Sequence, residues 1–200
     1  FSGRIVLRGS SLARFTHWAT AGALSAEGKT DGSFGVRAQV ALESDRVALR
    51  DLSGELSGAA LRGGATYRWG ATREFGLQFE GPQLDARAFI PAGAGLGDMV
   101  ALLMSGHAGA EAGSKAPARL GAADLSLRIR TGQLLTAGAA YRDVAVEIER
   151  KGGALRIPVL RLTGDDGFVL DLEGEVANTG TKPKGTLRMA ATAEAAEALQ

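Results

Sequence analysis

Apolar and polar residues alternate with a period of two along most of the chain. Ile5 and Leu7, then Val36, Ala38, Val40 and Leu42, then Val47 and Leu49 are interleaved with Arg4, Arg8, Arg37, Gln39, Glu43, Arg46 and Arg50. The pattern returns at Phe75, Leu77 and Phe79, at Leu125, Leu127 and Ile129, at Val144, Val146 and Ile148, and at Phe168, Leu170 and Leu172. Successive side chains of a strand point to opposite faces, so this alternation predicts at least eight short strands, each with one apolar and one wet face. Ser44-Asp45, Gly63-Gly64, Lys151-Gly152-Gly153 and the Gly164–Gly167 run read as the turns between them. Such short breaks suit antiparallel hairpins better than crossovers through helices.

Two stretches depart from the period. Leu84, Ala88, Phe89, Leu96, Met99, Val100, Leu103 and Met104 recur at helical spacing, which predicts a short helical insertion around residues 84–105, split at Pro91. The Ala/Glu-rich tail from Ala190 to Leu199 reads as a C-terminal helix. The small, polar run Ala110 to Pro117 divides the chain nearly in half. It predicts a first β-unit over 1–113, carrying the insertion, and a second over 114–200, unless 1–200 form one continuous domain. The halves are alike. Val36, Ala38, Val40, Val47, Leu49 and Leu52 match Val144, Val146, Ile148, Leu155, Ile157 and Leu160 at a constant offset of 108. That spacing fits either two similar hairpins or a repeated β-unit in which each copy leans on its neighbour.

Composition narrows the chemistry. The 200 residues contain no cysteine, which removes disulfides, thiolate metal sites and thiol nucleophiles, and 29 glycines, which place turns on glycine. With 23 Lys+Arg against 22 Asp+Glu the net charge is +1, so no nucleic-acid partner is expected. His17 and His107 stand far apart with no metal-ligand spacing, and no cofactor is expected. The Gly22–Thr30 run has five residues between its glycines where a phosphate loop needs four, and a strand rather than a helix follows it. Gly93, Gly95 and Gly97 lead to Asp98 where a dinucleotide fingerprint needs its third glycine. Ser105-Gly106-His107 is adjacent only in sequence, and Asp165-Asp166 is turn chemistry. The chain is not read as an enzyme. No apolar run reaches the roughly 18 to 20 residues that span a bilayer, and the start at Phe1 reads as a mature product or excised domain.

The segment from Tyr141 to Val176 resembles the C-terminal repeats of the AsmA family of bacterial envelope proteins. The likeness rests on Tyr141, the Asp143-Val144 step, the Gly152-Gly153 turn, Leu155 and Ile157, Leu162 to Gly164, and Leu172-Glu173-Gly174. The stretch Val47 to Trp69 is similar to another phrase of that family through Leu49, Asp51-Leu52, Gly54, Leu56, Gly58 and Leu61. The helical insertion has no place in the family pattern. The resemblance implies an elongated or curved, mainly antiparallel all-β sheet with an apolar inner face. It implies a periplasmic segment anchored to the inner membrane through a part absent from this chain, with phospholipid acyl chains and other envelope proteins as partners. The expected role is phospholipid transport and outer-membrane biogenesis, with Val144, Val146, Ile148, Leu155 and Ile157 as the lipid-binding face. The alternative is a non-catalytic β-sandwich scaffold or protein-binding module, in which the same five residues are ordinary core.

Overall fold

The computed structural model describes residues 1–11, 14, 32–56, 58–70, 72–85, 124–136, 139–165, 167–177 and 184–193. They form ten strands: β1 (Ser2–Gly9), β2 (Phe34–Leu42), β3 (Arg46–Leu56), β4 (Ala59–Arg68), β5 (Glu74–Asp85), β6 (Asp124–Leu135), β7 (Ala140–Lys151), β8 (Ala154–Gly164), β9 (Val169–Ala177) and β10 (Lys184–Thr192). All ten lie in one sheet in sequence order. Every neighbouring pair is antiparallel except β5 and β6, which run parallel. The molecule is all-β, and its described strands form a single layer rather than the two layers of a sandwich.

The parallel joint divides the sheet into two five-stranded meanders, β1–β5 and β6–β10. The offset of 108 read from the sequence lays β2 and β3 onto β7 and β8. Each meander also bulges at the same place in its central pair: pairing slips between Leu49 and Leu52 in β3, and between Ile157 and Leu160 in β8. Pro158 sits inside the second bulge, where a missing backbone N–H breaks no ladder bond. The two Asp-aliphatic steps, Asp51-Leu52 and Asp143-Val144, share a conformation as well. Both aspartates have left-handed backbones, φ 51° and 52°, at irregularities of the β2/β3 and β7/β8 pairings, and the residue after each falls on the apolar face. Asp tolerates that region better than bulkier side chains do.

Three sequence expectations change. Gly63-Gly64 is not a turn but the middle of β4. Leu84 and Asp85, where the helical insertion was to begin, are the last residues of β5, paired with Leu134 and Leu135. Ala190 to Thr192, where the C-terminal helix was to begin, belong to β10. In each case a cross-strand partner outweighs a weak local preference. The rest of both helices, residues 86–105 and 194–199, lies outside the described residues, as does the 113/114 boundary. Among the described residues there is no helical element, and no helix long and apolar enough to cross a membrane.

Strand glycines have a steric reason. A Cβ on Gly63 would lie 1.9 Å from the Gln78 carbonyl oxygen of β5, one on Gly54 2.1 Å from that of Gly35 in β2, and one on Gly174 2.2 Å from that of Thr186 in β10. No side chain fits such a gap, so these residues let neighbouring strands close tightly while the sheet bends. Gly63→Ala is therefore expected to destabilise the fold by about 1–3 kcal/mol, whereas Gly58→Ala would meet nothing within 4 Å but suffer from its φ of 86°. Urea unfolding of the two variants against the parent checks the ordering, with the larger loss expected for Gly63→Ala.

Candidate functional site

The register carries one apolar face across all ten strands. One row runs Ile5, Ala38, Leu52, Gly63, Phe79, Ile129, Val146, Leu160, Leu172 and Met189. The next runs Gly3, Val40, Leu49, Ala65, Leu77, Leu127, Ile148, Ile157, Gly174 and Leu187. All but two of the neighbouring pairs stand directly opposite one another, where side chains on one face come within contact distance; Ala38 and Leu52, and Ile148 and Ile157, meet across pairing irregularities. No charged residue interrupts either row.

This face is closed in one place and open in others. Leu134, Val144, Ile148, Leu155, Ile157, Leu160 and Leu162 form a buried cluster, joined by Leu84, Leu127, Tyr141, Val146, Phe168, Leu170 and Leu172. All of these described partners come from β5–β9 or the β8–β9 turn. Of the five residues singled out in the sequence, Val144, Ile148, Leu155 and Ile157 are only 1–3% exposed and lie in this core, while Val146 is half-buried at its margin. The structure brings all five to one face of β7 and β8. Toward β2–β6 most members of the same rows stay half-buried: Val40, Leu49, Leu52, Leu77, Phe79 and Ile129 each keep part of their surface in solvent, as does Leu127 at the margin of the cluster, while the small Ala38 is buried.

The difference has a cause in side-chain volume. Registering the two meanders puts Gly54 where the second has Leu162, and Gly63 where it has Leu172. Two large side chains fill the second unit and are missing from the first. The apolar side chains next to Gly54 and Gly63 therefore lack that neighbour. The alternation alone did not reveal this half-open stretch, but the glycine content of Gly54 to Gly81 against the leucines of Leu155 to Leu172 carries the signal.

The opposite face is polar and held in register by charge. Five ion pairs join directly opposed residues: Arg68 with Glu74, Arg128 with Glu147, Glu149 with Arg156, Arg161 with Asp171, and Glu173 with Arg188. Arg142 adds a longer contact of 3.8 Å to Asp165. A groove of about 1580 Å³ crosses β1 to β7, and its exposed lining includes Arg8, Arg37, Arg62 and Arg130 against Glu55, Glu80 and Asp143. Four cations against three anions do not concentrate one sign of charge, so the groove offers no strong field for a polyanion. Arg37 is tied down further by donating to Ser53 Oγ at 3.0 Å. Among the described residues no group of three or more metal-ligating side chains comes together. His17, His107, the Gly22–Thr30 run, Gly93 to Asp98 and Ser105 lie outside the described residues.

No family model matches the chain, and no curated protein or solved structure is significantly similar to it.

The Glu147 carboxyl is held below its ordinary value, chiefly because Arg128 donates a hydrogen bond to it; burial opposes this, and the charge of Arg128 adds to it. A carboxylate lowered in the fold stabilises above its unfolded pKa, about 4.3, and that contribution disappears as pH falls through the folded value. Acid unfolding followed by circular dichroism should show Glu147→Gln losing stability at neutral pH, with the gap to the parent closing below about pH 4.

Proposed function

We propose that this chain is a lipid-handling segment of a bacterial envelope protein of the AsmA type, lying in the periplasm and holding phospholipid acyl chains against its apolar face during transport between the inner and outer membranes. The observation that supports the reading is the uninterrupted apolar face of a single-layer sheet, half-open over β2–β6. Exposing a CH₂ group to water costs about 0.8 kcal/mol, so an acyl chain of about 16 carbons carried bare would cost on the order of 13 kcal/mol. A face of Val40, Leu49, Leu52, Leu77, Phe79, Leu127 and Ile129 offsets that cost by laying apolar groups along the chain. The polar head stays in water, since both rows are free of charge. The process is passive: no bond is made or broken, and direction is set by partners at each membrane.

The buried residues of β7 and β8 serve as the rigid wall from which the open stretch extends, and Val146 stands where wall meets opening. Mass spectrometry of solvent extracts from protein expressed in a bacterial periplasm tests the reading. Phospholipid is expected with the parent and is expected to be lost in Val146→Asp and in Phe79→Asp while the β-sheet dichroism persists. Ile148→Asp, which places a charge in the closed core, is expected to unfold the protein. Absence of phospholipid from the folded parent would overturn the proposal.

A further inference from the structure

The two meanders expose edges that match the one joint already made between them. β5 and β10 are the fifth strands of their units, and β1 and β6 are the first. At the internal joint the fifth strand of one unit pairs in parallel with the first strand of the next, Leu77 opposite Leu127, Phe79 opposite Ile129. Among the described residues, the outermost strands are the same two kinds of strand and have no such partner. Every residue of β10 is exposed, Met189 and Leu187 at 69% and 47%, and on β1 Val6 and Leu7 are 58% and 39% exposed. Neither strand contains proline, and β10 is regularly paired to β9 along its whole length. Both carry charges, Arg4 and Arg8 on β1 and Lys184 and Arg188 on β10, yet a long, regular edge of this kind is a template for another strand.

We propose that β10 of one copy pairs in parallel with β1 of a second copy, reproducing the β5/β6 joint and extending the sheet head to tail. The register follows from the repeat. Leu52, Gly63 and Phe79 of the first unit correspond to Leu160, Leu172 and Met189 of the second. Thr131 and Ile129 stand opposite Val144 and Val146, as Leu7 and Ile5 stand opposite Val36 and Ala38. Met189 is thus to β10 what Phe79 is to β5, and Ile5 is to β1 what Ile129 is to β6. The new joint places Met189 opposite Ile5 of the second copy, Ala191 opposite Leu7 and Leu187 opposite Gly3. It covers the most exposed apolar side chains of both edges and continues both apolar rows without a break. One like-charge pair results, Arg188 opposite Arg4, and Arg188 already reaches Glu173 at 3.4 Å. Because the contact joins two different surfaces, it leaves a free edge on each copy and builds rings or open series of oligomers rather than a twofold dimer. The inference stands on the repeat and the edges alone, independent of lipid handling.

The chain has no cysteine, so introduced ones report by themselves. A Met189→Cys preparation mixed with an Ile5→Cys preparation at high concentration and oxidised is expected to give a disulfide-linked dimer. Ala190→Cys with Ile5→Cys, shifted by one residue to the opposite face, is expected to give little. Sedimentation velocity of the parent should show species growing with concentration, and Leu187→Lys/Met189→Lys, altering only exposed edge positions, should abolish them with the dichroism unchanged. Arg4→Glu, which replaces the one repulsion by an attraction, should tighten association roughly two- to fivefold. A parent that stays monomeric at every concentration overturns the proposal. So does Met189→Cys linking to itself as readily as to Ile5→Cys, which would indicate a twofold joint instead.

Discussion

A single-layer sheet has two faces, and an apolar one must be covered, bent upon itself or left to a ligand. Everything else in this structure follows from how the chain treats that face. Ten strands in sequence order form one sheet, and the described residues include no second sheet to lie over that face. In β6–β9 bulky side chains of that face pack together, and Leu155 and Leu162 within their cluster are almost wholly buried. In β2–β6 glycine replaces bulk, and the apolar rows remain partly wet. One repeated architecture therefore carries two degrees of closure, set by a few side-chain volumes.

The polar face does different work. Five opposed ion pairs span β4 to β10, and in each the partners already stand opposite one another in the ladder. Exposed pairs of this kind contribute little stability each. Their value is register: a slip of one residue would bring apolar side chains to the wet side and break every pair at once. The bulges at Leu49/Leu52 and Ile157/Leu160 act within that frame, each adding local twist to its strand pair. The tight glycines, where a neighbouring carbonyl occupies the place of a Cβ, let the sheet bend without losing its ladder.

The single parallel pairing explains why the molecule reads as two units and still forms one sheet. Each unit is an antiparallel meander built from local hairpins. Their junction is the only described strand pair that a short turn cannot make. The apolar rows cross this junction without a break, through Phe79 to Ile129 and Leu77 to Leu127, so the continuity of the face depends on a contact between residues far apart in the chain. The same geometry leaves β1 and β10 as the outermost of the described strands.

The sequence by itself determined the alternation, hence the strands, their apolar and polar sides, the antiparallel hairpins and the repeat at an offset of 108, because each depends on residues near one another in the chain. It misread Gly63-Gly64 as a turn, and it extended helical patterns into Leu84 and Ala190, because local preference is weak beside a ladder of cross-strand bonds. Val144, Val146, Ile148, Leu155 and Ile157 were legible as one face, yet alternation is identical for a core wall and an open trough. Only the tertiary structure decided that four of them are enclosed, that the open stretch lies over β2–β6, and that the two units meet through a parallel pair. Those outcomes depend on which side chains stand opposite each other across strands and on how much volume they bring there, which is fixed by cross-strand register rather than by the period along the chain.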